Sequence, residues 1–380
     1  MKNHFSISLQ SFFFHIIIVG FLFPRGYSEI NTKYHMVCSG LMWLSVLLTW
    51  AYWLKNSELK KYILRGKIKK TVLQISSYFI CAIIITAICR KNFSSGLQQL
   101  FAAPTVCVFM ILGLKKSPQR ILNAIINILC IEFTINILLS IRQPYINGIY
   151  HTIFLGHIQV VSQYGILAIL VGTLFWLLYR KGKRRIIYLF IVTIYTMITT
   201  DAESALFTVI GLISALIIYK WKLSQLLMFK SEIYIFVLII LSGLIVYLSC
   251  INANIISNID INGRGFIWQD ALKRIAIHPI IGYGVDGVLL ETFWSKGFNY
   301  AHNQLVQNFL DGGLVLAISF WTMIIGFSNR INKIEITKYK VLCNASLIAL
   351  LCVMLVDSTT LYIYMYMILS IIFSVKSLIN

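Results

Sequence analysis

The sequence has little charge of either sign and very few acidic residues. Of its 380 residues, 12% are charged, and only 13 are Asp or Glu against 33 Lys or Arg. Because a soluble domain has about a quarter of its residues charged, this composition excludes an ordinary soluble enzyme and a disordered chain. The hydrophobic fraction of 58% predicts instead an all-α polytopic membrane protein, since helices satisfy their own backbone hydrogen bonds in lipid.

The sequence also lacks the common metal-binding and redox motifs. It has eight cysteines, but no two are spaced as CxxC and none has a histidine at ligand spacing. This pattern predicts no metal site and no cofactor. We expect the cysteines to be small apolar residues that face lipid or neighbouring helices.

Twelve apolar segments are candidate membrane spans, since a spanning helix needs about 20 largely apolar residues. We expect the first to be a retained helix rather than a cleaved signal peptide, because eleven spans follow it. With no internal repeat or linker, residues 1–380 are predicted to form one membrane domain. The predicted spans are 8–24, 35–54, 71–89, 97–114, 121–141, 152–179, 186–200, 204–219, 232–251, 304–327, 341–357 and 359–375.

The distribution of basic residues predicts the orientation in the membrane. If the N-terminus is cytoplasmic, the connections on that side hold 24 of the 33 Lys and Arg residues. This asymmetry follows the positive-inside rule, so both termini are predicted to be cytoplasmic. The net charge of +20 is then explained by the cytoplasmic rim of the protein, and we expect no nucleic-acid partner.

One polar connection, residues 252–301 between the ninth and tenth predicted spans, is much longer than the others on the outer side. Loops of this length usually carry function or structure of their own. Here an amphipathic helix is predicted, ended by His278-Pro279; it either lies on the membrane surface or also serves a binding site. Its apolar face is Ile267, Trp268, Ala271, Leu272 and Ile275, and Gln269, Asp270, Lys273 and Arg274 lie opposite.

The segment Asn262-Gly263-Arg264-Gly265 immediately precedes this helix. Glycines let backbone N–H groups approach a ligand, a helix N-terminus favours anions, and a guanidinium binds phosphate through two donors. The combination favours a diphosphate site at the membrane face.

The same connection ends in Ala301-His302-Asn303, where a polar helical face begins. At about 100° per residue this face covers an arc of roughly 140°. Because polar groups do not face lipid without cause, we predict that it lines a cavity or the bundle interior. His302 lies at its mouth and is predicted to be an acid/base group. The face consists of Asn303, Gln304, Gln307, Asn308 and Asp311.

These motifs together resemble the shared region of bacterial O-antigen ligases and O-antigen or capsule polymerases. The resemblance implies transfer of sugar chains from undecaprenyl diphosphate, without a nucleotide sugar or a metal ion, at the periplasmic face of the bacterial inner membrane. It implies that His302 is the base on the acceptor hydroxyl and that Arg264 holds the diphosphate. The implied partners are the lipid-linked oligosaccharide, the bilayer, a chain-length regulator and a flippase. The resemblance rests on Gly263-Arg264, Ile267-Trp268, Pro279, Gly282-Tyr283-Gly284, Ala301-His302-Asn303 and Gly313.

Two positions depart from the family pattern. Family members often carry a Ser-Arg pair near the outer end of an earlier span, and here Glu203 stands where that arginine would fall. Leu316 stands where the ligase-type pattern has Gly, Thr or Tyr. Both departures weaken the ligase assignment, and Arg142 or Arg274 could replace the second arginine. The substrate-binding residues expected are Asn303, Trp268, Tyr283, Arg274, Arg142, Glu203 and Gln307.

The sequence leaves three functions to be distinguished. The leading hypothesis is a polymerase that joins oligosaccharide repeat units, and the alternative within the family is a ligase that transfers the chain to lipid A–core. A lipid-linked oligosaccharide flippase or transporter would need ionisable residues at mid-membrane and paired broken helices. Only Glu132 is a candidate for such an ionisable residue, and the sequence has no repeated halves. Weaker candidates for substrate contact are Glu132 with Asn136, and His157, Gln159 and Gln163.

Overall fold

The described part of the chain is a bundle of α-helices. The structure, a computed structural model, describes residues 2–29, 31–54, 66–89, 97–142, 152–200, 205, 208, 212, 228–251, 263–292, 297–298 and 300–379. Its helices are α1 (Lys2–Leu22), α2 (Thr32–Leu54), α3 (Gly66–Cys89), α4 (Leu97–Lys116), α5 (Pro118–Arg142), α6 (Val160–Tyr179), α7 (Lys183–Thr199), α8 (Ser231–Ile251), α9 (Arg264–Ile277), α10 (Gln304–Ser328), α11 (Thr337–Met354) and α12 (Ile363–Ile379).

The helices have the length and apolarity of a multi-pass membrane protein. Among those described, α2 to α6, α8, α10 and α11 are long and apolar enough to cross a membrane, and α1 and α12 contain shorter apolar stretches. The predicted all-α polytopic fold is confirmed. Eleven of the twelve predicted spans coincide with a described helix. The eighth, 204–219, lies outside the described residues except for 205, 208 and 212, which are helical.

The predicted sixth span, 152–179, is wrong at its beginning. Thr152–Ile153 (β1) and Gly156–His157 (β2) form a small antiparallel hairpin, and α6 begins only at Val160. Gly156, the first residue of β2, has φ +147°, a conformation that side chains disfavour. The hairpin pairs with the connection between α1 and α2, because Leu155 and Phe154 accept hydrogen bonds from the N–H groups of Arg25 and Gly26.

The packing joins helices that are distant in the sequence. α10 packs along α3, α12 packs along α4, and α6 contacts α7, α11 and α12. α6 is nearly all interior, with Tyr164, Leu167 and Val171 buried. One large apolar core therefore runs through the bundle.

α10 is broken at Gly312-Gly313, which corrects the prediction of one continuous span over 304–327. Gly313 has φ +58° and ψ −155°, and a Cβ there would lie 2.3 Å from the carbonyl carbon of Ile280. The loop after α9 inserts at the break. The Leu314 N–H donates to Pro279 O (2.9 Å), and the Tyr283 N–H donates to Leu310 O (2.8 Å), so this loop satisfies backbone groups that the break releases.

The amphipathic α9 is not limited to lying on a membrane surface. Ile267, Trp268 and Ala271 are buried in a second, smaller core with Val306 and Leu310 of α10, and Val246 of α8 belongs to the same cluster. Leu272, predicted on the apolar face, is 40% exposed. The helix ends at Ile277, directly before His278-Pro279 as predicted. α9 is thus fixed to the bundle, and its first residue, Arg264, is fixed with it.

Several connections meet at one end of the bundle, which we call the site end. It comprises residues 23–29, 152–159, 263–303 and 355–362 as far as they are described. Predicted span 341–357 extends three residues too far at its end, because α11 runs from Thr337 to Met354. A short 3-10 turn, Thr359–Leu361, precedes α12, so the twelfth span begins at Ile363 rather than 359.

Candidate active site

Four polar side chains from four different connections come together at the site end. Gln159 directly precedes α6, Arg264 is the first residue of α9, His302 lies two residues before α10, and Asp357 follows α11. Arg264 is 4% exposed and Asp357 is fully buried. Each residue stands at or near a helix terminus, where a side chain can leave the apolar packing and face a shared polar centre.

Gln159 connects the other three residues. Its amide oxygen accepts from Arg264 Nη2 at 3.0 Å, and its amide nitrogen donates to Asp357 Oδ1 at 3.1 Å. This amide orientation is the one that satisfies both neighbours. The Nδ1 atom of His302 is 3.2 Å from the amide nitrogen and 3.3 Å from the amide oxygen. A single amide thus determines the spacing of an arginine, a histidine and a carboxyl group.

The contact with Gln159 bears on the tautomer of His302. The Gln159 oxygen, which already accepts a hydrogen bond from Arg264, can also accept one from His302 Nδ1–H. A neutral imidazole that is protonated on Nδ1 carries its lone pair on Nε2. Nε2 is then the nitrogen that can take a proton from a substrate hydroxyl, which is the geometry of a general base.

The backbone of His302 is held in an unusual conformation. Its φ is +51°, in the left-handed region that costs a non-glycine residue about 1–2 kcal/mol. Both neighbours are clamped: the Ala301 carbonyl accepts from Trp268 Nε1 (2.8 Å), and Asn303 caps α10 by accepting from the Leu305 and Val306 N–H groups. Such strain persists where surrounding structure imposes it, and it is concentrated at functional sites.

Asp357 is a fully buried carboxyl group. Burial raises the pKa of Asp357 from 3.8 to about 7, while a hydrogen bond from the Ser358 N–H and the positive charge of Arg264 act in the opposite direction. Its Oδ1 receives the Gln159 amide, and no group among the described residues bonds to Oδ2. Asp357 therefore exchanges a proton near neutral pH, within the same network as His302.

We expect the pH dependence of stability to reveal this carboxyl group. Because the folded state holds the Asp357 proton up to about pH 7 and the unfolded state releases it near pH 4, the wild type should lose stability as the pH rises through that interval. Asp357→Asn has no such proton. Thermal unfolding measured from pH 4.5 to 8 should therefore show that the stability of the variant relative to the wild type increases up to about pH 7. Above about pH 7 the difference in stability should be constant. If the stability of the wild type relative to the variant instead increases with rising pH, Asp357 is an ionised carboxylate that Arg264 stabilises.

The predicted polar face of α10 is buried in the bundle, as expected. Gln304 binds the 3-10 turn, since its amide oxygen accepts from the Thr360 N–H (3.0 Å) and its nitrogen donates to Thr360 Oγ1 (3.1 Å). Gln307 accepts from the Ala301 N–H and donates to Asp311 Oδ1, both at 2.8 Å. The face thus attaches α10 to the segments that carry His302 and Asp357. The side chains of Asn303, Gln304, Gln307, Asn308 and Asp311 are all at most 6% exposed.

The other residues predicted to bind substrate are placed less centrally. Trp268 is fully buried under Ala301, and the Tyr283 hydroxyl donates to Arg274 O (3.0 Å). Arg274 pairs with two carboxylates: its Nε donates to Asp270 (2.8 Å), and its Nη2 lies 3.8 Å from Glu291. These two carboxylates do not favour Arg274 as the replacement of the second family arginine, which stays a prediction.

Two predicted residues are not described. The side chain of Arg142, the last residue of α5, and all of Glu203 lie outside the described part of the chain. Among the weaker candidates, Gln159 is central to the site. Gln163, one turn further along α6, is fully buried, and no group among the described residues bonds to its amide.

Sequence reasoning missed two members of the site. Asp357 is only the last residue of the predicted span 341–357, although an acidic residue at the end of an apolar segment is unusual in a chain with only 13 Asp and Glu residues. Tyr300 was not considered, and its ring lies 4.4 Å from the His302 ring and 6.5 Å from the His157 ring. The place of Tyr300 in the sequence, two residues before His302, does not indicate this ring contact.

Part of the chain matches a known protein family. Residues 153–321 match the family model described as O-antigen ligase. The predicted resemblance is confirmed over this part of the chain, which contains Gln159, Arg264 and His302, whereas Asp357 lies beyond it. No curated protein matches the sequence.

Proposed function

We propose that this membrane protein, which matches the O-antigen ligase family over residues 153–321, is a polymerase of lipid-linked oligosaccharide repeat units. Its substrate is a repeat unit carried on undecaprenyl diphosphate, and its product is O-antigen or a related surface polysaccharide. The observation that supports the proposal is the convergence of Gln159, Arg264 and His302, in which a guanidinium and an imidazole contact the same amide.

The proposed reaction is an inverting glycosyl transfer. Nε2 of His302 removes the proton from a hydroxyl of the acceptor sugar, and that oxygen attacks the anomeric carbon of the donor. The bond from this carbon to the diphosphate breaks, and the electron pair stays with the diphosphate. Arg264 stabilises the added negative charge, and the proton remains on His302 until it passes to solvent or to the released diphosphate.

The surroundings of the site suit this chemistry. Arg264 is almost completely buried, so its charge acts on the leaving group with little screening by water. Gln159 contacts both the arginine and the histidine, and Asp357 accepts from the Gln159 amide nitrogen and so holds the amide in the orientation that makes these contacts. A preorganised cation and base of this kind gain catalytic effect because they need little rearrangement during the reaction.

The distribution of charge supports a site on the outer face. Arg185 binds Asn123 and Asn127 at the opposite end of the bundle, and Lys376 binds the Lys333 carbonyl there. These residues belong to the set of 24 bases predicted to be cytoplasmic. The site end would then face the periplasm, where lipid-linked repeat units are polymerised after they cross the membrane.

Polymerase is favoured over ligase by the two departures from the ligase pattern, Glu203 and Leu316. Leu316 is fully buried in the apolar core just after the break in α10. The two functions use the same donor and the same chemistry, and differ in the acceptor: another repeat unit or lipid A–core.

A strain without this protein separates the two functions on one gel. If the protein is the polymerase, surface lipopolysaccharide should lose its ladder and retain lipid A–core with a single repeat unit. A ligase would give the opposite distribution, with core free of any repeat unit and polymer accumulating on undecaprenyl diphosphate. Either the second pattern or an unchanged ladder would overturn the polymerase assignment, and the wild-type copy supplied on a plasmid is the control.

A further inference from the structure

A cavity of about 140 Å³ lies beside the site, between the α1–α2 connection, the small hairpin and the start of α12. Its polar walls include Arg25, Gln99 and His157, and its aromatic walls include Phe21, Tyr362 and Tyr364. Of these residues only His157 is among the weaker candidates for substrate contact that the sequence indicates, and the volume is comparable to that of one sugar ring.

The cavity adjoins the proposed catalytic centre. His157 and Val160 line it, and Gln159 lies between them in the chain. On the other side, Tyr300 contacts both rings, at 6.5 Å from His157 and 4.4 Å from His302. The cavity is thus linked to His302 through Gln159 along the chain and through the Tyr300 ring.

The charge in the cavity comes from Arg25. Its guanidinium donates to the sulfur of Met42 (2.8 Å), and sulfur is a weak acceptor. Among the described residues, the ion pairs join Arg274 to Asp270 and Glu291, and Arg25 takes part in none of them. A half-buried cation of this kind favours a ligand that brings a negative charge, since burying a charge without a partner is costly.

The aromatic walls distinguish a sugar from a diphosphate. Phe21, Tyr362 and Tyr364 present apolar surface to the cavity, and a pyranose has an apolar face that can pack on an aromatic ring. A diphosphate has no such face. The Gln99 amide nitrogen donates to the Leu361 carbonyl, so its amide oxygen is the atom that can accept from a sugar hydroxyl.

We propose that this cavity is an acceptor subsite that binds an acidic sugar, with Arg25 paired to the sugar carboxylate and the pyranose ring against the aromatic walls. The proposal rests on the proposed function, since it makes this sugar part of the repeat unit whose hydroxyl reaches His302. It gives the enzyme a means of selecting repeat units, because a guanidinium binds a carboxylate through two parallel hydrogen bonds.

The test is a binding measurement on the full-length protein in lipid nanodiscs, with methyl glucuronide, methyl glucoside and inorganic pyrophosphate as probes. We expect methyl glucuronide to bind at least about tenfold more tightly than the neutral glucoside, as a charged hydrogen bond allows. Arg25→Gln should remove this preference, and Arg25→Lys should keep part of it. Tyr362→Leu should weaken both sugars to a similar degree, and Arg120→Gln, at the opposite end of the bundle, should change neither.

Two results would overturn the proposal. One is equal binding of glucuronide and glucoside by the wild-type protein. The other is a loss of pyrophosphate binding in Arg25→Gln with no loss of sugar preference, which would make the cavity a diphosphate site. No turnover is needed for these measurements, so a protein that binds glucuronide through Arg25 but makes no polymer would overturn only the proposed function.

Discussion

Replacing His302 should abolish polymerisation while the protein still inserts and accumulates in the membrane. A general base contributes about 10²–10⁴-fold in rate, so its loss would reduce the ladder to a single repeat unit. Two variants make the test sharp. His302→Ala removes the ring. His302→Asn also removes the ring, but asparagine tolerates the left-handed backbone at φ +51°. Both should be inactive, because neither side chain can take a proton near neutral pH.

His278→Ala is the matched control for this experiment. His278 is an exposed histidine just after α9, and its ring packs against Tyr283 rather than against the site. The control should keep a normal ladder at normal protein level. A normal ladder in both His302 variants, with comparable protein in the membrane, would remove His302 from the mechanism.

Arg264→Lys should already lose most of the activity, about 100-fold as for removal of one donor to a developing charge. An ammonium group cannot make the parallel hydrogen bonds of a guanidinium to a diphosphate. It also cannot hold the Gln159 amide at 3.0 Å and contact the diphosphate with the same geometry. Activity is best measured as the initial rate of chain extension at equal protein concentration.

The same substitution at Arg274 is the control, because Arg274 lies on the same helix and pairs with Asp270 and Glu291. We expect Arg274→Lys to extend chains at close to the wild-type rate. Full activity in Arg264→Ala would show that the arginine is a structural residue of the α9 terminus and does not bind the diphosphate.

Much of the fold follows from composition and hydrophobic length. Apolar segments of about 20 residues predict helices because a helix of that length spans the bilayer and satisfies its own backbone hydrogen bonds, and eleven of the predicted spans coincide with helices. The amphipathic α9 and the polar face of α10 also follow from periodicity. Arg264 and His302 could be predicted as site residues because each carries a reactive side chain at or just before the start of a helix.

The parts that the sequence did not predict depend on contacts between distant segments. Gln159 and His302 are 143 positions apart, and nothing in either segment indicates their contact. The break at Gly312-Gly313 depends on the loop after α9, which supplies the hydrogen-bond partners of the open turn. Asp357 gains its altered pKa from burial between helices, and burial is a property of the folded bundle.

The reconstituted reaction tests the central claim most directly. Purified protein in liposomes would receive a single undecaprenyl-diphosphate-linked repeat unit as its only sugar substrate, and the products would be separated by mass. The account predicts lipid-linked oligomers that differ by one repeat unit, together with released undecaprenyl diphosphate, and neither product with His302→Asn. Unchanged substrate that becomes a product only when lipid A–core is added would contradict the account and identify a ligase.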